Sequence, residues 1–197
     1  NKTDKLFHHR KNIYSDRMYY FLNFDHGQGK RIGTASSTTD TPTFFAGSFE
    51  DYAFYEKDDV NLIKSGREWW DHQYFDLTTV RNYSFSFPNI DNLKPVTLAA
   101  YVAARSIGGN SSFVVSALGK AVMSISLPGI SGSFESEYAT EKTDTAIIFN
   151  TSNPVIDVTL SYNKSSSSSV GYLNFLEINA SRQLKMSGSQ MSFRSAS

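Results

Sequence analysis

"PVIDVTLSYN", residues 154–163, shows the clearest two-residue period in the chain. An apolar set alternates with a mostly polar set, the first being Ile156, Val158, Leu160 and Tyr162 and the second Val155, Asp157, Thr159 and Ser161. Successive side chains of a strand point to opposite faces, so this pattern is typical of a half-buried strand in an antiparallel sheet. The stretch therefore predicts one face packed on a core and one face in solvent.

The same period extends outward along the chain. "PVTLAAYVAARS", residues 95–106, places four apolar side chains on one face: Val96, Leu98, Ala100 and Val102. "RNYSFSFP", residues 81–88, aligns Tyr83, Phe85 and Phe87 before Pro88 ends the strand. Four further strands are predicted at residues 113–117, 122–127, 145–150 and 172–178.

The segments between these strands are short and rich in turn-forming residues, as in "IGGNSS", "PGISGS" and "NTSNP". Short strands separated by Gly, Pro, Asn and Ser indicate a β-sandwich. The serine run at residues 165–169 predicts a flexible hairpin tip, because predicted strands flank it closely.

The first half of the chain is less regular. "MYYFLNF", residues 18–24, and "DYAFYEKD", residues 51–58, each predict a strand. We therefore predict an all-β chain that forms an antiparallel β-sandwich of jelly-roll type with additional N-terminal strands. Residues 1–60 would supply N-terminal β strands packed on the sandwich, and residues 61–197 the jelly-roll-like sandwich itself, with both parts compatible with one structural unit.

Composition narrows the function classes. The chain has 197 residues, which suits one domain or one domain with an extension. Its 19 basic and 19 acidic residues cancel, which argues against a nucleic-acid partner. Cysteine is absent, so disulfides, thiolate metal sites and cysteine nucleophiles are excluded within these residues. The opening "NKTDKLFHHR" has no apolar segment, so any signal peptide would lie outside it.

"NLIKSGREWWDHQYF", residues 61–75, contains both tryptophans of the chain. Six of its residues are candidate ligand contacts: Arg67, Glu68, Trp69, Trp70, Asp71 and His72. An exposed indole with charged neighbours can stack on a sugar ring and hydrogen-bond its hydroxyls. The alternative is a structural loop that buries both indoles at the sandwich edge. Adjacent side chains of a strand point in opposite directions, so at most one Trp needs to be exposed.

No catalytic residue, metal or cofactor is predicted. Glu68 and His72 are four residues apart and would share a helical face, but no distinctive nucleophile accompanies them. The histidines are adjacent or far apart in sequence, which is typical of surface histidines rather than zinc ligands. Asp58 and Asp59 indicate a solvated loop in preference to a calcium site.

Five segments occur here in an order that resembles one family. They are "HHRKNIYSDRMYYFLNF" with "GKRI", "NLIKSGREWW", "FSFPNIDNLKPVTLAAYVAARS", "LPGIS" and "GYLNFLEINASRQLKMSGSQMSFR". The series resembles the non-catalytic region ahead of the peptidase domain in sortases of the PorU family, gingipain-type cysteine peptidases of the type IX secretion system in Bacteroidetes. The resemblance covers roughly residues 7–194, and the closing segment is its most specific part.

The resemblance implies an accessory domain rather than an enzyme. Sortases of this family remove the C-terminal sorting domain of secreted cargo and transfer the new carboxyl end to surface lipopolysaccharide, with a cysteine nucleophile and a histidine. That pair follows the region resembled here, and this chain has no cysteine. The parent chain would be the peptidase and transpeptidase, exported to the cell surface at the outer membrane.

Partners and site follow from the same resemblance. The implied partner is the downstream peptidase domain, with secretion-complex proteins, cargo C-terminal domains and surface polysaccharide as further candidates. The family pattern contains "SGREW" in a non-catalytic domain, which favours a structural loop. The second Trp of "WWD" departs from that pattern and leaves room for a peripheral aromatic contact at Trp70.

The alternative function is a carbohydrate-binding module that contacts surface polysaccharide. "VGYLNFLEIN", residues 170–179, resembles the closing strand of galactose-binding-like jelly rolls. An indole exposed in a shallow groove beside Arg67 and Asp71 would favour this alternative. Burial of both indoles would remove most of its support.

Overall fold

The computed structural model of the protein describes residues 6–10, 15, 17–24, 27–149 and 151–194. Eight strands follow one another along the chain: β1 (Ser48–Glu56), β2 (Val80–Ser86), β3 (Val96–Arg105), β4 (Ser111–Ala117), β5 (Lys120–Leu127), β6 (Thr140–Ile148), β7 (Val155–Asn163) and β8 (Val170–Gln183). The described part of the chain contains no helix, and so none that is long and apolar enough to cross a membrane.

The strands form two four-stranded sheets. The first sheet has the order β1-β8-β3-β6, and the second has the order β2-β7-β4-β5. Every pairing between these strands is antiparallel. The predicted all-β, antiparallel β-sandwich is therefore confirmed. The jelly-roll type stays a prediction, with which eight strands in two sheets are compatible.

The core lies between the sheets and follows the predicted faces. β7 buries Ile156, Val158, Leu160 and Tyr162, and β3 buries Val96, Leu98, Ala100 and Val102. Phe85 and Phe87 are buried beside them, and Tyr83 packs against the same core. Burial of a Leu, Ile or Phe side chain contributes about 1.5–3 kcal/mol, so these alternating positions hold the two sheets together.

The serine run at residues 165–169 joins β7 in the second sheet to β8 in the first. The predicted hairpin tip is therefore wrong, because a two-residue period shows that strands flank the run but not which sheet each strand enters. Ser169 is buried, and its hydroxyl lies 3.0 Å from those of Ser106 and Ser165. These hydrogen bonds tie the crossover to the end of β3.

β8 is central in the first sheet and is buried on both faces. Its outer face carries Glu177 and Asn179, and residues 7–9 lie across them. The Asn179 side chain accepts a hydrogen bond from the Phe7 N–H at 2.7 Å and donates one to the Phe7 carbonyl at 3.0 Å. Glu177 accepts from the His9 N–H at 2.5 Å. The polar groups of β8 are therefore satisfied under a cover that the strand pattern does not reveal.

The N-terminal strand predicted at residues 18–24 does not form. These residues adopt no regular secondary structure. Residues 10–45 make up a separate compact unit. Within it Tyr20, Phe21 and Leu22 are at least 79% exposed. Strand propensity alone does not stabilise an isolated strand, which needs a hydrogen-bonded neighbour and an apolar face to bury. The second predicted strand, at residues 51–58, is confirmed as β1, an edge strand of the sandwich itself.

Candidate functional site

The candidate stretch belongs to the long connection between β1 and β2. Within it Trp70 packs on Ala103 and Tyr172 of the first sheet, and Phe75 enters the core between the sheets. Two backbone hydrogen bonds close its base: Trp70 donates to the Val60 carbonyl at 2.8 Å, and Val60 donates to the Trp70 carbonyl at 3.0 Å. Between them the chain reverses through Lys64 and Gly66, which have positive φ angles of 54° and 82°. Glycine adopts this conformation without strain, so Gly66 suits a loop rather than a helix. Residues 61–69 therefore form a loop pinned at both ends.

The two tryptophans have different environments. Trp70 is 3% exposed and packs in a small cluster with Ala103 and Tyr172, while Trp69 is 43% exposed. The Trp70 ring lies 5.3 Å from that of Tyr101 on β3. The sequence leaves room for a peripheral aromatic contact at Trp70, but the partly exposed indole is that of Trp69. The indole of Trp70 instead attaches the loop to the sheet.

Asp71 is part of the same attachment. Its side chain is 1% exposed and accepts hydrogen bonds from the Tyr55 hydroxyl at 2.6 Å and from the Gln73 N–H at 2.9 Å. Its own N–H donates to the Leu173 carbonyl at 3.0 Å. Burial, followed by hydrogen bonding to Asp71, raises the pKa of Tyr55. The buried Asp71 carboxylate is therefore held by hydrogen bonds from both β1 and its own loop.

His72 is exposed and pairs with Asp59 on the other arm of the loop, with 2.5 Å between Nδ1 and Oδ2. This hydrogen bond is the largest cause of the lowered pKa of Asp59. Asp59, Asp71 and His72 each offer one ligand atom, and these atoms lie within 4.8 Å of one another. Carboxylate and imidazole are donors that divalent metals use. The hydrogen bonds within the cluster already account for the arrangement as a clasp between the two arms.

Arg67 and Glu68 border an open groove of about 580 Å³, which we call the loop groove. Its walls are residues 61–63 and 65–68 on one side and residues 137–141 on the other, together with Trp70 and Ala103. Residues 137–141 lead into and begin β6, and Ala103 lies on β3. The groove thus crosses the outer face of the first sheet beside the attached loop.

The loop groove is electrostatically negative. Glu68, Glu137 and Glu141 line it, and Arg67 is the one basic side chain in the lining. Burial, followed by the nearby charges of Glu141 and Asp58, raises the pKa of the Glu68 carboxyl. The shift has this sign because partial desolvation and like charges both disfavour the carboxylate.

Sequence reasoning singled out six neighbours in the chain, and the structure separates them. Arg67 and Glu68 line the groove, Trp69 and His72 are exposed, and Trp70 and Asp71 are buried. Reasoning from the sequence missed Glu137 and Glu141, which are about seventy residues away and reach Glu68 only through the pairing of β3 with β6. It also missed Asn174, which donates to the Trp69 carbonyl at 2.8 Å. No local motif marks these three residues.

Comparison with known proteins supports the fold. No protein-family model matches the sequence, and no curated protein matches it significantly. The crystal structure of dimeric latent PorU from Porphyromonas gingivalis matches 78% of this chain with a TM-score of 0.66 and 18% identity. The match takes up 14% of that chain, so the protein spans a small part of the length of PorU. At this identity the likeness shows a shared fold.

Two carbohydrate-binding modules also match, more weakly. One is a CBM36 module in complex with calcium and xylotriose, with a TM-score of 0.38 and 12% identity over 64% of this chain and 98% of that one. The other is the CBM36-1 domain of a xylanase from the hindgut metagenome of Trinervitermes trinervoides, with a TM-score of 0.41 and 8% identity over 65% of this chain and 96% of that one. Neither score is high enough to argue a common fold.

Proposed function

We propose that this chain is a non-catalytic accessory domain of a cell-surface sortase of the type IX secretion system, and that it scaffolds the downstream peptidase domain or recognises cargo and partner proteins. The observation that carries the proposal is the fold shared over 78% of the chain with a 14% portion of PorU. The five segments that resemble PorU-family sortases in order support the same proposal.

The chemistry of the candidate site supports a non-catalytic role. Acyl transfer by a cysteine peptidase needs a thiolate and a histidine in contact, and the chain has no cysteine. His72 is paired with Asp59, and Asp71 is buried beneath Tyr55. Asp59 and His72 join two arms of the connection, and Asp71 joins the connection to Tyr55 of β1 and Leu173 of β8. The catalytic pair would belong to another part of the parent protein.

The proposal is tested on the parent protein, through the domain that its gene encodes downstream and through release of the cargo sorting domain. The reading frame downstream of this segment should encode a gingipain-type domain with the required cysteine and histidine, and an unrelated domain there would overturn the proposal. Deletion of the sandwich from the full protein should then stop release of the cargo sorting domain. Retained cleavage of a small peptide substrate by the deleted enzyme would indicate that the sandwich recognises cargo or partners, and loss of that cleavage would indicate scaffolding. Undiminished cargo release would contradict both roles.

Polysaccharide binding is a second candidate, favoured by the exposed indole of Trp69 next to Arg67 and Glu68. Acrylamide quenching of tryptophan fluorescence tests it, because Trp69 is accessible and Trp70 is not. Protection from quenching by soluble surface polysaccharide, absent in Trp69→Phe, would support this candidate. Equal quenching with and without the polysaccharide would count against it.

A further inference from the structure

The loop groove combines shape with an unbalanced charge. Three carboxylates and one guanidinium line it, and its volume of about 580 Å³ is in the range of small-ligand sites. Among the residues that the structure describes, no ion pair neutralises Glu68, Glu137 or Glu141. Carboxylates that line a partly desolvated groove favour a cation that enters it, because Coulomb attraction strengthens as water is excluded.

The apolar part of the lining restricts the kind of cation. Leu62, Ala103 and Ala139 belong to the lining, and Leu62 and Ala139 also pack on the cluster around Trp70. A bare metal ion gains nothing from such walls. The aliphatic stem of an arginine or lysine side chain can contact them while its charged end reaches the carboxylates.

A sugar fits the same surface less well. Saccharide recognition uses an open aromatic face, but Trp70 is 3% exposed, and Trp69 does not belong to the lining. Tyr138 does belong to it, but its ring already contacts the Arg105 guanidinium, 4.5 Å from the ring centroid. The groove therefore lacks a free indole on which a sugar could stack.

We infer that the loop groove binds an arginine or lysine side chain of an extended segment of a partner protein, with Glu68 and Glu141 as its anionic contacts. The inference deepens the proposed function and rests on it for the identity of the partner, whereas the binding chemistry stands on the groove alone. The positive charge of Arg67 repels the bound cation, so Arg67 lowers the affinity of the groove for it. The hydrogen-bond partners of the two carboxylates are neutral, since the Asn174 side chain donates to Glu68 at 3.5 Å and the Tyr101 hydroxyl donates to Glu141.

The test uses the full chain and two peptides that differ in charge alone. The acetylated, amidated peptide Gly-Ser-Arg-Gly-Ser is titrated into 15N-labelled protein and compared with its citrulline analogue. Amide shifts should be confined to residues 61–70 and 137–141, with saturation at millimolar peptide. The citrulline peptide should bind at least fivefold more weakly, and added salt should weaken the arginine peptide.

Variants connect the binding to the named side chains. The double substitution Glu68→Gln and Glu141→Gln should weaken binding of the arginine peptide at least tenfold. The exposed Glu135 lies outside the groove, so Glu135→Gln should leave binding unchanged. Arg67→Ala should tighten binding two- to threefold, a change that loss of structure would not produce. Thermal melts verify that each variant is folded.

Three outcomes would overturn the inference. They are equal affinity for the citrulline peptide, shifts centred away from the groove, and tighter binding of a chitosan oligosaccharide than of the arginine peptide, which would assign the groove to amino sugars. None of them bears on the reading frame of the parent protein, so failure here is distinguishable from failure of the proposed function. A positive titration with an unrelated downstream domain would preserve the site and remove only its proposed setting.

Discussion

The central strands of the two sheets differ in how many faces they bury. In the second sheet β7 follows a two-residue alternation, with core residues inward and more accessible residues such as Asp157 outward. In the first sheet β8 is buried along almost its whole length, because residues 7–9 and the β1–β2 connection cover its outer side. The difference shows that a sheet edge or face can be completed by segments that have no strand pattern of their own. The loop groove lies on the covered sheet, beside one of those segments.

The largest expected effect is at the attachment of the loop. Trp70→Ala removes a buried indole and should lower the free energy of unfolding by about 3–5 kcal/mol. Trp69→Ala, on a half-exposed neighbour, should cost below about 1 kcal/mol. Urea denaturation of both variants measures the difference. If Trp70→Ala lowers the free energy of unfolding as little as Trp69→Ala does, the cover of the first sheet contributes little to stability.

A second effect compares the polar residues of the two outer faces. Asn179→Ala leaves the N–H and carbonyl of Phe7 without their partner and should cost about 1–3 kcal/mol. Asn82 of the second sheet makes one exposed hydrogen bond with Thr159, so Asn82→Ala should stay within about 0.5 kcal/mol. Chemical denaturation of the two variants measures their free energies of unfolding. If the two substitutions cost the same, residues 7–9 do not stabilise β8.

A third effect concerns alkaline pH. Burial, followed by hydrogen bonding to Glu141, raises the pKa of Tyr101 above its ordinary 10.0. The folded state therefore favours the neutral phenol, and this contribution to stability is complete below pH 10 and is lost as pH rises above it. Tyr101→Phe should lose less of its stability between pH 9 and pH 11 than the parent protein, as followed by urea midpoints.

The control for this prediction is Tyr19→Phe, at a side chain that is 72% exposed. It should reproduce the pH profile of the parent protein. A Tyr101→Phe profile that also coincides with the parent would show that the cover of the first sheet does not desolvate this phenol.

The smallest expected effect is a gain in thermal stability at Glu68. The raised pKa of Glu68 means that its proton is held more tightly in the folded state, so this group favours folding below its unfolded pKa and loses that contribution as pH rises through the folded value. Glu68→Gln should therefore raise the melting temperature slightly at pH 7.5 and have no such effect near pH 3.5. Glu135→Gln should change neither value. A destabilising Glu68→Gln at pH 7.5 would indicate that the hydrogen bond from Asn174 to the Glu68 carboxylate outweighs the cost of burying its charge.

The sequence sufficed for the fold wherever a strand meets the core. The inward faces were predicted by alternation, as shown by Leu98 and Val102 in β3 and by Val158 and Leu160 in β7. Successive side chains of a strand point to opposite faces, so every second residue faces the core. The prediction failed at residues 18–24, where strand propensity has no paired neighbour. It also underestimated β6, which begins at Thr140 because pairing with β3 continues through polar residues.

The candidate site was predictable in position but not in composition. Sequence proximity brought Arg67 and Glu68 to notice, and adjacency correctly implied that at most one indole is exposed. Which indole that is depends on Tyr172 and Ala103, and the facing wall depends on Glu141. These contacts arise from strand order, which no local pattern specifies. The role of the six candidate residues in ligand contact stays a proposal.

The central place of β8 has a consequence for how the chain acquires its structure. β8 is the last of the eight strands in chain order, and it lies between β1 and β3. Until residues 170–183 have been synthesised, those two strands have no mutual partner and present open edges. Before then only β3 and β6 of the first sheet have each other as partners, so this sheet is completed late, whereas the β4–β5 hairpin can form early from neighbouring residues. A nascent or cleaved chain that ends before β8 would keep the second sheet's local pairing and lose the face that carries the groove.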